Sequence, residues 1–437
     1  MTARRAAATL IALLAVHAHA IGQAVTLAES PTPGDCAKYT VELLLGGKMI
    51  VTQEGGKQPI KLDARAGHAF TERTLLVDAG LPSKSARYYE AAGAVAVIAG
   101  DRLDRVLPAD RKLVVAQRSS EGLFCYSPTG PFTRDELDLI TEHFNPQCLA
   151  GLLPGKDVKV GDTWPVGNPA AQAACQFDGL VKNELVGKLT EVKQVATFTI
   201  EGTAEGIEHG AKVAMTVAAT GTFDPATKRV TALTWKQKDV REQGPVNPAA
   251  EVDVTVTVKR EMLPRPPKEL ADGTVPAGNP TPLMTHLRHA DAKGRYQFVY
   301  PREWHVTGQT DSHLVMRLLD RGEFIAQATI TGWKKADAGK HTPADEFKKA
   351  VSESPGWVAT RVIEDGELPT DGGRWIHRHV AEGKMENLPV VQAFHLIAGP
   401  QGDQAVVTFA MKPEQIKAVG TRDVGLVNAI EFPGGKK

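Results

Sequence analysis

The sequence predicts an α+β protein: an N-terminal, mostly antiparallel β domain with one helix, followed by a C-terminal α+β sandwich on an antiparallel sheet. Three observations predict it. Val252-Asp253-Val254-Thr255-Val256-Thr257-Val258 alternates apolar and polar side chains with period two, the pattern of a strand with one buried and one wet face. Helical signals interrupt such strands at residues 133–144, 343–352 and 413–430. Between the two regions, six of the 21 residues from 263 to 283 are proline, which cannot donate to a β-ladder and favours an extended spacer.

The domains are therefore read as residues 25–262 and 284–437, joined by a proline-rich linker at 263–283 in which a protease is expected to cut first. In the first domain, strands are expected at 39–52, 69–77, 87–99, 112–117, 192–200, 211–223, 229–239 and 250–260. Asp224-Pro225-Ala226-Thr227 supplies turn chemistry between two of them. Thr133 with Glu136 three residues later makes a capping box, and Leu137, Ile140 and Phe144 form the apolar stripe of its helix. Asp135, Glu136, Asp138 and Glu142 read as that helix's solvated face, and the expected packing is helix on curved sheet. In the second domain, strands are expected at 314–319, 324–333, 361–368, 374–381, 390–398 and 404–411, with Thr342 capping the helix at 343–352.

The first residues give an address. Arg4 and Arg5 precede an apolar run at 6–16 that is too short to span a bilayer, and Ala18-His19-Ala20 and Gly22-Gln23-Ala24 both offer small residues to a signal peptidase. Residues 1–24 are expected to be a secretory signal peptide, with a twin-arginine signal as the alternative, and the mature chain to be secreted or periplasmic. Cys36 is the first cysteine, and Pro33-Gly34-Asp35 before it lacks the pattern that lipidation needs. No later apolar run reaches spanning length, so no membrane span is expected after cleavage. Composition is that of a packed globular chain, with 42% hydrophobic and 23% charged residues. Lys and Arg number 51 and so do Asp and Glu, so no global field favours nucleic acid.

Two stretches carry a resemblance. Gly161-Asp162-Thr163-Trp164, after Val160, looks like the VGDTW element of uncharacterised β-rich bacterial envelope proteins. Physically, Gly-Asp makes a tight turn and Trp164 brings a large apolar body into the next strand. Gly294 to Val306 (GRYQFVYPREWHV), with the element order that follows, is similar to the Mog1/PsbP-like fold of photosystem extrinsic proteins and many bacterial envelope proteins. That resemblance implies a central antiparallel sheet flanked by helices, and no shared catalytic residues.

No GxSxG elbow, HExxH, Walker loop, GxGxxG or EF-hand loop is present, so no catalytic residue is assigned and no cofactor is expected. The four cysteines, Cys36, Cys125, Cys148 and Cys175, are disulfide candidates in an oxidising compartment; three pairings are open, and Cys148 with Cys175 is expected, which non-reducing peptide mapping would read. No CxxC pair suggests thioredoxin-type redox chemistry. His377 and His379 share one strand face beside Trp375, and a hairpin near 383–387 returns a strand carrying His395. Three imidazoles reach one metal only if the register puts all three on one face, and Arg374 and Arg378 flank the pair, so a metal site is not expected. His286 and His289 read as capping or solvated, Glu142-His143 as part of a charged helix face, and Trp304, Trp333, Trp357 and Trp375 as core rather than a ligand site.

The function these observations predict is non-enzymatic binding, either of another envelope protein or of a small apolar ligand held in a β-sheet concavity. The alternatives are an extracytoplasmic hydrolase or metal-dependent enzyme, and a structural component of the cell surface. Titratable groups clustered in a deep pocket would favour the enzyme, and a broad apolar concavity would favour binding.

Overall fold

The computed structural model describes residues 24–53, 56–119, 122–141, 144–276 and 278–433; residues 1–23, where a signal peptide ending at 24 is expected, and the Glu142-His143 pair lie outside the described residues. The first half runs β1 (Val25–Leu27), β2 (Cys36–Gln53), β3 (Gly56–Asp78), β4 (Leu81–Ile98), β5 (Asp101–Val106), β6 (Leu113–Ser119), β7 (Gly122–Tyr126), α1 (Arg134–Thr141), a 3-10 turn at Pro146–Leu152, β8 (Lys156–Val158), β9 (Thr163–Pro165), α2 (Asn168–Cys175), β10 (Gly179–Asn183), β11 (Val186–Val192), β12 (Ala196–Glu208), β13 (Ala211–Asp224), β14 (Arg229–Arg241) and β15 (Ala249–Leu263). The second half runs α3 (Pro282–Thr285), β16 (Leu287–Ala290), β17 (Gln297–Tyr300), β18 (Trp304–Gln309), β19 (His313–Asp320), β20 (Glu323–Gly332), α4 (Ala344–Ser352), β21 (Trp357–Glu367), β22 (Trp375–Met385), β23 (Leu388–Ala398), β24 (Gln404–Met411), α5 (Ile416–Val419) and α6 (Arg422–Ala429).

The α+β expectation is corrected: strands make up 56% of the structure and helix 14%, so the protein is predominantly β. The helical signals are real, but each is short. α1 and α2 have eight residues each, whereas β2 has 18 and β3 has 23, so the helices are patches on sheet rather than a matching layer. The segment expected as one helix at 413–430 breaks at Gly420, whose φ of +57° ends α5 before α6 begins. The strand expected at 192–200 contains a turn, so its two ends belong to β11 and β12.

An antiparallel sheet of 13 strands dominates the first half. Its order is β7-β6-β4-β3-β2-β15-β14-β13-β12-β11-β9, with β5 added on β4 and β10 on β12, and it does not close into a barrel. Two-residue turns with positive φ set the register of its long hairpins: Ala99-Gly100 between β4 and β5, and His209-Gly210 between β12 and β13. Strict alternation follows from that register. β13 buries Val213, Met215, Val217 and Ala219 on one face and wets the residues between them.

Against that face lies a helical cap made of α1, the 3-10 turn and α2. The capping box forms as expected, with the Thr133 amide donating to Glu136 Oε2 at 2.9 Å and the Glu136 amide donating to Thr133 Oγ1 at 3.2 Å. Leu137 and Ile140 of α1, with Phe144 just beyond it, point into the sheet, and the Phe144 ring lies 5.8 Å from Trp235 of β14. Trp164 packs as a buried body whose Nε1 donates to Leu152 O at 3.0 Å. Gly187 on the next strand has no side chain because a Cβ there would sit 2.2 Å from the Trp164 ring.

In the second half, seven antiparallel strands run β18-β19-β20-β24-β23-β22-β21. α4 covers one face through Phe347 and Val351, which join Trp357, Phe394 and Leu396. Leu426 and Val427 of α6 are buried in the larger cluster, which draws apolar side chains from both halves of the chain. Thr342 is not the cap of α4: its hydroxyl accepts from Trp333 Nε1 and Gln404 Nε2, and Pro343 stands at the cap position. The proline-rich segment docks on the first sheet through buried Leu270, whose carbonyl accepts from Arg73 Nη1 at 2.8 Å. The halves also touch through an Arg288–Glu136 ion pair at 2.9 Å, so Glu136 is buried by the second half rather than solvated.

Candidate functional site

Strand length decides where the site lies. An 18-residue strand extends on the order of 60 Å, against about 12 Å for an eight-residue helix, so the helical cap covers only part of the inner sheet face. Beyond the cap, the inner positions of β3 and β4 are Leu62, Ala64, Ala66, Ala94, Ala96 and Ile98. Small side chains there leave room. The result is a cavity of about 390 Å³, also lined by Leu43, Leu45, Met215, Trp235 and Val252. Its walls run from β5 to β12, which lie seven strands apart in the sheet order, so the sheet must bend round the space it encloses.

Arg65, His68, Arg105, Arg241 and Asn247 also line this space, and a further polar row runs along β14. Trp235, Gln237 and Asp239 occupy alternate positions of β14 and so share its inner face. Trp235 Nε1 donates to Gln237 Oε1 at 2.7 Å, and Gln237 Nε2 donates to Asp239 Oδ2 at 2.8 Å. Asp239 Oδ1 is buried with no hydrogen-bond partner among the described residues. Burial pushes the Asp239 carboxyl up to about 6, against the hydrogen bond from Gln237. A carboxyl that holds its proton more tightly folded than unfolded favours the folded state at low pH and loses that contribution as pH rises through about 6. Asp239→Asn is therefore expected to gain stability relative to the parent between pH 4 and pH 7. Urea midpoints of both proteins across that range check it, and a pH-independent difference would contradict it.

A second space, of about 610 Å³, lies beside the cap, lined by first-half residues and, from the second half, by Arg302. Arg118, Arg134 and Arg302 line it, and Asp138, Gln176 and Glu208 line both this cleft and the apolar cavity. Arg302 donates from Nε to Thr285 O and from Nη2 to Cys125 O, both at 2.6 Å, and lies 4.2 Å over the Phe124 ring. Burial pushes the Asp138 carboxyl up to about 6, with Arg134 opposing.

The other expected site residues lie elsewhere. His377 Nε2 and His379 Nδ1 both meet Asp365 Oδ1, at 2.9 and 3.1 Å. Burial would raise the Asp365 carboxyl, but hydrogen bonds from Lys348, His379 and His377 outweigh it and hold Asp365 down at about 2. His395 pairs in register with Arg378, which places it on the opposite sheet face, beside Phe409 and 4.0 Å from Asp423. The three imidazoles therefore do not converge. His286 follows α3, and the His289 ring lies tilted against that of Phe298, 5.3 Å away. Trp304 and Trp357 are buried, while Trp333 and Trp375 are half-buried against the Phe347 cluster. Cys36, Cys125, Cys148 and Cys175 are buried free thiols, and burial pushes Cys175 up to about 12 and raises Cys148 as well.

Sequence reasoning missed the cavity's alanines and the three arginines. The signal for the alanines was present in Ala92-Gly93-Ala94-Val95-Ala96, where every second residue is alanine. No local signal joins arginines 16 and 168 residues apart along the chain.

No protein-family model matches this chain, and no curated protein matches it. Among solved structures it is similar to the cyanobacterial PsbP of Synechocystis sp. PCC 6803 at 15% identity and a TM-score of 0.26, over 37% of this chain and 99% of that one. It is similar to the Ran-binding protein Mog1p of Saccharomyces cerevisiae at 14% identity and a TM-score of 0.26, over 34% of this chain and 95% of the other. A lipovitellin structure matches at 7% identity and a TM-score of 0.33, over 55% of this chain and 26% of that one.

Proposed function

We propose that this chain is an exported, non-enzymatic binding protein whose first domain, residues 25–262, holds the apolar part of a ligand in the cavity of its bent sheet. The observation that supports it is the inner face beyond the cap: a space of about 390 Å³, within the range of small-ligand sites, walled mainly by small and branched apolar side chains, with polar groups on β14 and at its edges. In this reading the proline-rich segment at 263–283 joins the binding domain to a Mog1/PsbP-like domain at 284–437, which offers a surface to an envelope partner. The VGDTW-like turn serves packing, through the Trp164 ring under Gly187.

An apolar fluorescent probe, 1-N-phenylnaphthylamine, tests the cavity. Saturable enhancement is expected with the parent chain. Ala64→Trp places an indole in the cavity and is expected to weaken binding by about tenfold or more, which corresponds to about 1.4 kcal/mol. Leu44→Ser, on the outer face where Leu44 is 62% exposed, leaves binding unchanged. Absence of saturable enhancement, or equal binding by Ala64→Trp, would refute the reading.

A further inference from the structure

We infer that the ligand is an anionic amphiphile, its tail in the apolar cavity and its phosphate or carboxylate head in the arginine-lined cleft beyond Asp138, Gln176 and Glu208. This deepens the proposed function and rests on it. The two spaces abut, because those three side chains line both. A molecule reaching from one to the other leaves a mainly apolar space, whose walls also carry Arg65, Arg105 and Arg241, passes a short polar collar and meets Arg118, Arg134 and Arg302.

The collar's charges are already engaged. Glu208 meets Arg241 at 3.5 Å, Asp138 meets Arg134 at 3.8 Å, and Gln176 Nε2 donates to Thr141 O at 2.7 Å. The cleft also contains Asp178, whose Oδ2 accepts from the His209 amide at 2.6 Å. Of its three arginines, Arg134 has the Asp138 carboxylate, but the other two are placed differently. Arg302 is held by two carbonyls and a ring, and neither it nor Arg118 pairs with a carboxylate among the described residues. Arg134 stands close enough to oppose the Arg302 charge; burial first, and then Arg134, pull Arg302 down to about 10. Like charges brought together out of water are costly without a counter-charge. A bound anion supplies it, and guanidinium groups suit the planar, paired oxygens of phosphate or carboxylate.

Arg302 belongs to the second half of the chain and donates across to Cys125 in the first. The head would therefore be gripped from both halves and the tail from one.

Two ligands that share tail and glycerol isolate the head: oleoyl lysophosphatidate and monooleoylglycerol, measured on the full chain by probe displacement, with inorganic phosphate as a third arm. The parent is expected to prefer lysophosphatidate by about tenfold or more. Arg118→Gln/Arg134→Gln, which removes two cleft cations and keeps the Arg302 bonds, is expected to bring the two affinities together; the readout is their ratio, because Arg134 also pairs with Asp138 and donates to Trp304 O across the halves. Equal affinities in the parent, or a preference that survives the double substitution, would overturn the inference and leave the apolar cavity standing. Failure of both lipids to bind removes the cavity reading and the inference with it. Phosphate alone binding as tightly as lysophosphatidate would assign the arginines to a free anion and overturn the link to the tail.

Discussion

Glu72→Ala is expected to cost about 3–5 kcal/mol, among the largest losses of any single substitution in this chain. Arg87 and Glu72 face each other in register across β4 and β3, with Arg87 Nε donating to Glu72 Oε2 at 2.6 Å. Both are buried, at 0% and 5% exposure, so removing the carboxylate strands a guanidinium without water. The guanidinium also donates from Nη2 to Asn145 Oδ1 at 3.0 Å, and Asn145 caps the 3-10 turn of the helical layer. The pair thus ties the cap to the sheet, and its loss loosens the cavity wall as well as the core. The double substitution Glu72→Leu/Arg87→Met removes both charges and is expected to recover most of the loss. Urea midpoints followed by tryptophan fluorescence separate the cases. A double variant no more stable than Glu72→Ala would show that shape, not charge, dominates at this site.

Trp235→Ala is the second large effect, about 3–5 kcal/mol, for a different reason. The side chain is fully buried at the centre of β14, its ring lies 5.8 Å from Phe144, and its Nε1 anchors Gln237. Deleting the indole opens a void where sheet meets cap and leaves Gln237 without its donor. A fall in Tm on the order of 10 °C is expected, and Trp235→Phe, which fills most of the void, should lose less than half as much. Equal losses from the two variants would place the cost in the lost hydrogen bond rather than in packing.

Much of the strand content was legible because burial on one face imposes a period that residues 252–258 display directly. The α1 start was legible for a similar reason: Thr133 and Glu136 satisfy each other locally, without help from distant chain. The balance of classes was not. Helical patterns announce themselves through caps and stripes, but nothing in them says that α1 stops after eight residues while β3 runs for 23. The turn inside 192–200 stayed hidden because residues 193–195 lie between two Val- and Thr-rich runs. Register was also unreadable. Whether His395 faces His377 or Arg378 depends on a single-residue shift of the β22–β23 hairpin, and Glu386-Asn387 with positive φ fixes it at Arg378. The curved sheet was foreseen as a support for a helix, yet the cavity depends on where that helix ends, and this is a matter of tertiary placement.

Native mass spectrometry of the full chain purified from its own host tests the central claim most directly. One anionic amphiphile per chain is expected on the parent protein, diminished on Ala64→Trp and exchanged for neutral lipid or lost on Arg118→Gln/Arg134→Gln. Bare chain in the parent, with no lipid taken up when oleoyl lysophosphatidate is added, would contradict it.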